Sequence, residues 1–289
     1  MKLFHIIANP TAGKNKQNKI LRKVEAVFKK LGAAFRTYVS KEKNGCTQIA
    51  EQLTSEGVTD IVVLGGDGTL HEVLNGIQDP SKCNLGLIPA GTGNDFAEHL
   101  GLSKNPEEAA KHIINGTPTP IDYLQVGDKR CMNVCGVGMD VDVLERCSKG
   151  KRTGKMKYFI NLLQSLFAFK GQRVEIESEG VSETRDVLLA AACNGSQFGG
   201  GIRICPDANS ADGKIEAVIV DCIGGKLKII QAFLKLLKGK ILEYPASKHF
   251  VCDRLKFIPA TPCPVQLDGE LYYDIDFDVR LGKGLHFYK

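Results

Sequence analysis

Apolar residues in the first part of the chain fall into short β-branched runs and longer stretches with helical spacing. The runs predict strands over residues 3–8, 34–40, 61–64 and 85–88, whereas the helical spacing predicts helices over 15–31 and 46–55, one from near Thr69 and one from Pro106. Strands and helices in alternation are typical of a parallel sheet with helices on both faces. Ligands of such sheets bind at the carboxyl ends of the strands.

After Ile121 the pattern changes to frequent short strands with few helices. Strands are predicted over residues 121–126, 131–137, 173–177, 186–193, 214–221, 249–258, 264–267 and 271–281. We therefore predict an α/β + β protein: a doubly wound α/β domain over residues 1–120 and an antiparallel β-sandwich domain over residues 121–289. The last strand, within residues 284–289, could stay in the sandwich or return to the first domain, and the pattern favours neither.

Composition and charge narrow the class of protein. The chain has 289 residues, 43% of them hydrophobic, and a net charge of +5, which does not by itself indicate nucleic acid but fits anionic phosphates or an anionic membrane surface. No apolar run approaches the roughly 20 residues of a membrane span, so any membrane contact is expected to be peripheral. The ten cysteines are scattered without a C-x-x-C pair, which favours free thiols in a reducing cytoplasm over a zinc ribbon.

The run Gly65-Gly66-Asp67-Gly68-Thr69 follows the third predicted strand and opens a helix. Glycines let the backbone approach a ligand closely, and the free N–H groups of a helix N-terminus suit a phosphate. A carboxylate beside an anion is repulsive unless a cation lies between them, so Asp67 predicts Mg²⁺. The alternative is a strand-to-helix turn that needs glycines for its geometry alone. The spacing matches neither a Walker A loop nor a dinucleotide fingerprint.

Two further loops are expected at the same sheet edge, over residues 9–14 and 89–96. The sequences Asn9-Pro10-Thr11-Ala12-Gly13, GGDGT at 65–69 and PAGTGNDF at 89–96 occur in the order seen in the soluble diacylglycerol and sphingosine lipid kinases. The chain resembles that family over essentially its whole length, and more distantly resembles the NAD kinases and phosphofructokinases.

The resemblance implies that ATP binds with Mg²⁺ in the first domain, with Asp67 serving the catalytic Mg²⁺. The nucleotide-binding residues implied are Asn9, Pro10, Gly13, Ser40, Gly65, Gly66, Asp67, Gly68, Thr69, Gly91, Thr92, Asn94 and Asp95. Ser40 stands where the family usually has threonine. For Asn94 and Asp95 the alternative is a helix N-cap, which is compatible with a nearby role in binding.

Two Asp-Gly turns in the second half carry candidate chemistry. In the loop 206–214, the resemblance implies a structural Mg²⁺ held by Asn209, Asp212 and the carbonyl of Lys214. In the turn Asp268-Gly269-Glu270, Glu270 would take the proton from the substrate hydroxyl with help from Asp268, in a cleft between the two domains. The alternative for each is an ordinary hairpin turn.

Two stretches combine basic and apolar residues, over 149–173 and 226–240. Basic amphipathic helices are expected at anionic membrane surfaces. The alternative is that each helix packs on the sandwich and exposes its lysines to water.

We therefore interpret the chain as an ATP-dependent lipid kinase of the bacterial diacylglycerol kinase type, which makes a phosphatidic-acid-like product. It would be cytoplasmic and peripheral to the inner face of the membrane, with no nucleic-acid partner; the family includes dimers, but no sequence feature requires a homodimer. The alternatives are a kinase for another lipid, such as a sphingoid base or a monoacylglycerol, an NAD kinase, or a nucleotide-binding regulator without catalysis.

Overall fold

A computed structural model describes residues 2–9, 14–148, 164–165 and 168–289 of the chain. Their contacts divide the chain into two compact units, Met1–Tyr123 with Gly282–Lys289, and Leu124–Leu281. The division lies close to the boundary that we placed near Pro120 from the change in pattern.

The first unit alternates strands and helices, as its hydrophobic pattern indicates. Its elements are β1 (Leu3–Ala8), α1 (Lys14–Lys30), β2 (Ala34–Val39), α2 (Gly45–Ser55), β3 (Asp60–Gly65), α3 (Asp67–Gly76), a 3₁₀ turn (Pro80–Lys82), β4 (Asn84–Pro89), α4 (Asp95–His99), α5 (Pro106–Asn115), β5 (Thr119–Pro120) and β19 (His286–Tyr288). The predicted elements up to α5 are all present, with ends that differ by a residue or two.

The sheet of this unit has the strand order β2-β1-β3-β4-β19-β5. Strands β2, β1, β3, β4 and β19 are parallel to their neighbours, whereas β5 runs antiparallel to β19. The chain's last strand therefore returns to the first unit, which the sequence pattern left open. Its Tyr288 packs in the apolar cluster formed with Phe4, Phe28 and Ile113, so burial of its aromatic side chains accounts for the return.

The second unit is built on an antiparallel sheet of eleven strands. Its elements are β6 (Tyr123–Val126), β7 (Lys129–Cys131), β8 (Val134–Gly138), α6 (Met139–Ser148), β9 (Gln172–Ser178), β10 (Val181–Cys193), β11 (Gln197–Phe198), β12 (Ile202–Arg203), β13 (Ile215–Asp221), α7 (Lys226–Leu237), a 3₁₀ turn (Ile241–Glu243), β14 (Ser247–Cys252), β15 (Arg254–Pro259), β16 (Val265–Leu267), β17 (Glu270–Tyr272) and β18 (Asp278–Gly282). Strands β11 and β12 form a separate hairpin.

Three predicted strands needed correction, and one helix was missed. The stretches 131–137, 249–258 and 271–281 each contain two strands, because the chain changes its pairing partner within each of them. For example, β14 pairs with β13, whereas β15 pairs with β9 and β18. Helix α6 was not predicted at all. The strand divisions were missed because an apolar pattern indicates which residues are buried, but it does not indicate which neighbouring strand each segment pairs with.

Alternate residues of the central strand β10 face two different cores. Ala190 and Ala192 pack in one apolar cluster with β6, β9 and β15, whereas Ala191 and Cys193 pack in another with α6 and α7. All ten cysteines are unpaired, as predicted, and seven of them are buried. Among the described helices, none is both long enough and apolar enough to cross a bilayer.

Of the two predicted basic helices, only the second can be evaluated. In the first, residues 149–163 and 166–167 lie outside the described residues. The second is α7, which ends at Leu237 rather than Lys240. One of its faces packs on the sandwich through Ile229, Ala232, Phe233 and Leu236.

Candidate active site

Three loops of the first unit leave the sheet at one edge. Ala8 at the end of β1 lies beside Leu64 in β3, and Gly65 lies beside Pro89 at the end of β4. The N–H of Ser40, which follows β2, donates to the carbonyl of Ala8 at 2.9 Å. Because the strands are parallel, the segments after β1, β3 and β4 all begin at their carboxyl ends, where ligands of such sheets bind.

Two of these loops come together through glycine backbone. A Cβ on Gly66 would lie 2.9 Å from the Cα of Gly91, and a Cβ on Gly91 would lie 2.5 Å from the Cα of Gly66. The Asn94 side chain fixes Gly91, since its Oδ1 accepts from the Gly91 N–H at 2.9 Å and its Nδ2 donates to the Gly91 carbonyl at 3.1 Å. We call Gly66 and Gly91 the glycine cradle. It requires glycine at both positions because no side chain fits there.

Helix α3 begins directly at this cradle. Gly66 is its N-cap residue, and the first bond of the helix runs from the Leu70 N–H to the Gly66 carbonyl at 3.0 Å. The N–H groups of the first turn, from Asp67 to Thr69, therefore have no partner within the helix. Together with the positive end of the helix dipole, they form a site suited to a phosphate.

Asp67 is half-buried in the first turn of α3. Its Oδ1 accepts a hydrogen bond from the Phe96 N–H at 3.1 Å, which links α3 to the start of α4. Mg²⁺ prefers carboxylate and phosphate oxygens, and the Asp67 carboxylate lies in the first turn of α3, at the helix end that suits a phosphate. The residues present thus fit Mg²⁺ with a nucleotide phosphate, and Asp67 is the side chain that would hold the ion.

Asn94 occupies the N-cap position of α4 but does not cap it. Its backbone is left-handed, with φ of 59°, and its side chain makes no capping hydrogen bond. The amide is used on Gly91 instead. The N-cap interpretation of Asn94 is therefore wrong. The residue shapes the cradle because its side chain reaches back along the loop rather than forward into the helix.

The other predicted nucleotide-binding residues differ in exposure. Gly68 and Thr92 are exposed, Asn9 is half-buried, and Gly65, Thr69 and Asp95 are buried. Ser40 is only 1% exposed, and its hydroxyl donates to the Glu42 carbonyl at 3.0 Å, so this hydroxyl is engaged within its own loop. Pro10 and Gly13 lie outside the described residues.

Asp268 of the second unit is an anchor for the neighbouring loop. Its carboxylate accepts the backbone N–H groups of Met132 and Asn133, both at 2.8 Å, and the Cys131 thiol at 3.1 Å. Its backbone is left-handed, with φ of 51°, in the turn between β16 and β17. Since each carboxylate oxygen accepts a backbone N–H, the geometry gives Asp268 a positioning role in this turn, and its direct help to a base stays a prediction.

Glu270 lies in the same hairpin, at the start of β17 and opposite Leu267. Its side chain is exposed, and within the described part of the chain its carboxylate takes part in no hydrogen bond or ion pair. The two acids of the hairpin thus have different surroundings. The Asp268 carboxylate accepts backbone N–H groups, whereas the exposed Glu270 carboxylate can accept a proton from a ligand. The predicted placement of the reaction in a cleft between domains stays a prediction.

Asp140 is a candidate residue that the sequence analysis missed. It is 9% exposed, and neither carboxylate oxygen accepts a hydrogen bond of normal geometry from the described residues. Burial raises the pKa of this carboxyl to about 6, although the Val141 N–H and the Gln266 amide oppose the rise. Gln266 is itself buried, and its Oε1 accepts the Gly269 N–H at 3.0 Å. Asp140 therefore lies next to the residue that supports the Asp268–Glu270 turn.

Asp140 also lines an apolar cavity of about 30 Å³, between the sheet and α7. The other lining residues include Met139, Phe198, Phe233 and Leu236. No sequence signal marked Asp140, because it is one of two acids, with Asp142, in the first turn of α6 and looks like an ordinary first-turn carboxylate.

Asn209, Asp212 and Lys214, the predicted ligands of a structural Mg²⁺, are all exposed. The Asn209 Oδ1 accepts the Ala211 N–H at 3.2 Å, and the Asp212 Oδ1 accepts the Lys214 N–H at 3.0 Å. These bonds shape two tight turns and leave further lone pairs on the same side chains. The donor set is compatible with a hard cation, and this metal site stays a prediction.

Removing the Asp268 carboxylate should destabilise the second unit. We expect Asp268→Ala to lower the free energy of unfolding by about 3 kcal/mol, since two backbone N–H groups lose a charged acceptor and alanine is strained at positive φ. Asp268→Asn, which tolerates that φ and keeps one acceptor oxygen, should lose about half as much. Urea unfolding measures both, and an alanine variant as stable as wild type would contradict the anchoring role.

The raised pKa of Asp140 predicts a pH-dependent stability. The protonated carboxyl favours the folded state, so its contribution is present below the ordinary value of 3.8 and is lost as pH rises through about 6. The neutral variant Asp140→Asn lacks this loss. We expect its unfolding free energy, relative to wild type, to increase by about 2–3 kcal/mol between about pH 4 and pH 7. A difference that is constant over this range in urea titrations would refute the burial argument.

Comparison with known proteins identifies the family. Residues 4–126 match the diacylglycerol kinase catalytic domain, and residues 133–281 match the YegS C-terminal NAD kinase beta sandwich-like domain. The chain belongs to the diacylglycerol kinase family of lipid kinases. The predicted family, fold class and enzyme class, an ATP-dependent lipid kinase, are thereby confirmed.

The similarity to individual relatives covers most of this kinase. The diacylglycerol kinase of Bacillus subtilis (strain 168) is 28% identical over 274 residues, which cover 93% of this chain and 90% of that protein. A Cronobacter sakazakii protein named "Probable lipid kinase YegS-like" is 32% identical over 207 residues, 70% of this chain and 69% of its own.

Solved structures support the fold. The crystal structure of a diacylglycerol kinase from Bacillus anthracis str. Sterne has a TM-score of 0.75 at 24% identity, covering 99% of this chain and 96% of that one. An NAD kinase from Archaeoglobus fulgidus in complex with ATP has a TM-score of 0.54 at 13% identity, covering 99% of this chain and 93% of that one. At these identities the likeness concerns the fold alone.

Proposed function

We propose that this kinase transfers the γ-phosphate of ATP to the free hydroxyl of diacylglycerol or a closely similar neutral lipid. The observation that carries the proposal is the glycine cradle at the N-terminus of α3 with the Asp67 carboxylate in the first helical turn. The near full-length similarity to the Bacillus subtilis diacylglycerol kinase supports the choice of acceptor.

In this proposal each residue has a distinct task. The first-turn N–H groups of α3 bind nucleotide phosphate, and the contact between Gly66 and Gly91 holds the loop after β4 against the start of that helix. Bound Mg²⁺, held by Asp67, would neutralise charge on the phosphates. Glu270 accepts the proton of the lipid hydroxyl, and Asp268 holds the turn that carries Glu270. The hydroxyl oxygen forms a bond to the γ-phosphorus, the bond from that phosphorus to the bridging oxygen breaks, and ADP leaves.

Asp140 supports an amphiphilic substrate. An enclosed carboxyl beside an apolar cavity can accept a hydrogen bond from the polar part of a lipid whose chain lies against Phe198 and Phe233. The cavity of about 30 Å³ has room for about one water molecule, so an acyl chain requires α7 to move outward.

The test is transfer of labelled γ-phosphate from Mg·ATP to a panel of lipids in mixed micelles, with NAD⁺ as a separate acceptor. Labelled diacylglycerol with unlabelled NAD⁺ is the expected result. Label on a sphingoid base or a monoacylglycerol alone would replace the named substrate. ATP binding without label on any acceptor would favour a regulator without catalysis.

We also propose that α7 docks on an anionic membrane surface. The face of α7 turned away from the sandwich exposes large apolar side chains: Leu227 is 77% exposed, Leu234 50% and Leu237 47%. Exposed Lys226, Lys228 and Lys238 lie on the same helix or directly after it. Exposed leucines beside lysines match a helix that lies in the membrane interface.

This docking is tested by flotation with vesicles that contain anionic lipid. Reversing Lys226, Lys228 and Lys238 to glutamate should weaken binding by about 100-fold or more, because each basic side chain contributes about 1 kcal/mol. The matched control reverses the exposed Lys19, Lys29 and Lys30 of α1 and has the same net charge. Equal loss in both variants would indicate a general charge effect and refute docking through α7.

A further inference from the structure

Three metal-ligating side chains, none of them assigned to catalysis, come together in the second unit. The Cys205 Sγ, a carboxylate oxygen of Glu216 and a ring nitrogen of His249 lie within 4.8 Å of one another. The Glu216 Oε2 lies 2.6 Å from the His249 Nε2, and the Cys205 Sγ lies 3.8 Å from the same nitrogen. Within the part of the chain that the structure describes, this is the group of at least three His, Cys, Asp or Glu side chains placed to share an ion.

The fold places these residues by strand register. In the antiparallel pair β13 and β14, Val218 lies opposite His249 and Glu216 lies opposite Val251. Because alternate residues share a face, Glu216 and His249 are diagonal neighbours on one side of the sheet.

Cys205 approaches this face from the segment after β12. Its N–H donates to the Ser196 carbonyl at 3.1 Å, and its own carbonyl accepts the Ala208 N–H at 3.1 Å. The Cys205 side chain is buried in the apolar cluster that α7 also joins. The thiol is therefore held at its position by backbone bonds and packing.

We propose that Cys205, Glu216 and His249 bind Zn²⁺ through Sγ, a carboxylate oxygen and Nε2. Sulfur, nitrogen and carboxylate oxygen are the donors that zinc takes in proteins, and three protein ligands leave one position for water. Zinc bonds of about 2.0–2.3 Å place tetrahedral ligand atoms about 3.3–3.8 Å apart. The distance of 3.8 Å from the Cys205 Sγ to the His249 Nε2 already fits this range. The contact of 2.6 Å between the Glu216 Oε2 and the His249 Nε2 is shorter, and it lengthens when zinc replaces the proton of that hydrogen bond.

Burial and charge support the assignment. The Glu216 side chain is 13% exposed and the His249 side chain 35%, so an ion can enter from the His249 side. The Glu216 carboxylate attracts a cation, and zinc binding would release the thiol proton to solvent.

An ordinary ion pair between Glu216 and His249 explains part of the geometry. Such a pair does not require the Cys205 thiol to lie next to the same His249 nitrogen.

The zinc site also has a structural consequence, because Cys205 and Glu216 lie at the two ends of the loop that contains Asn209 and Asp212. A zinc ion would join the two ends of this loop and stabilise the folded state in proportion to its affinity.

The experiment uses the full-length protein, stripped of metal with a chelator and titrated with Co²⁺ as a spectroscopic probe and then with Zn²⁺. We expect a thiolate-to-cobalt charge-transfer band that saturates with a single equivalent and disappears when Zn²⁺ is added. Cys205→Ser should lose the band and bind Zn²⁺ more weakly by over 100-fold, since loss of an outer-shell partner alone costs about 10- to 100-fold.

The matched control is Cys222→Ser, which removes another thiol outside the cluster. It should retain the band and the affinity for zinc. His249→Gln, at a partly exposed position, serves if Cys205→Ser does not fold, and it should also weaken Zn²⁺ binding by over 100-fold. Absence of the band from the wild-type protein, or equal loss in the Cys222→Ser control, would overturn the proposal. Lipid phosphorylation is measured separately, so failure here leaves the proposed function untouched.

Discussion

Asp67→Asn is expected to reduce phosphate transfer by at least about 1000-fold while leaving the protein folded. The asparagine Oδ1 can still accept the Phe96 N–H, so the link between α3 and α4 survives. The neutral amide, however, cannot hold Mg²⁺ against the nucleotide phosphates as a carboxylate does. Turnover with labelled ATP and unfolding in urea are measured on the same preparation.

The control for this variant is Asp128→Asn, which neutralises an exposed carboxylate paired with Lys129. Its activity should match wild type. If Asp67→Asn keeps near-normal activity with unchanged stability, Asp67 does not hold the catalytic ion. If its unfolding free energy falls by more than about 1 kcal/mol, the loss of activity reflects folding and the test moves to Asp67→Glu.

Glu270→Gln should lower the rate of the chemical step by about 100- to 10,000-fold, the usual contribution of a general base. The side chain is exposed, so stability should change by less than about 0.5 kcal/mol. ATP binding should be unchanged, because the cradle and α3 belong to the other unit. A single-turnover measurement with diacylglycerol isolates the step.

The matched control is Asp274→Asn, since Asp274 is also an exposed acid in the same part of the second unit and asparagine tolerates its φ of 55°. Its rate should remain at the wild-type level. A Glu270→Gln variant with the wild-type single-turnover rate would exclude Glu270 as the base. Equal loss in both variants would point to a general effect of negative charge.

Local patterns were enough to predict the nucleotide end of the molecule. Ile61 to Leu64 is a buried apolar run, and GGDGT directly after it forms the start of α3, as predicted. The reason is that a parallel strand, a glycine turn and a helix start each depend on a few neighbouring residues. The pattern also led to the correct family, which the two domain matches confirmed.

Local patterns did not predict the hydrogen-bond partners of Asp268 and Asn94. The sequence predicted that Asp268 helps Glu270, but it did not predict that the Asp268 carboxylate accepts the N–H groups of Met132 and Asn133, far away along the chain. Asn94 looked like a helix cap and instead holds Gly91. Side chains of Asp and Asn can satisfy several competing partners, so only the folded geometry selects one.

By itself, the sequence determined the order of the elements in the first unit, the place of the phosphate-binding turn, the sandwich class of the second unit and the family. These properties follow from short-range periodicity and from backbone freedom at glycine. The tertiary structure alone decided the return of the last strand to β4, the enclosure of Asp140 and the meeting of Cys205, Glu216 and His249. Each depends on strand register and packing between segments distant in the chain, and no local pattern records which strand will lie beside another.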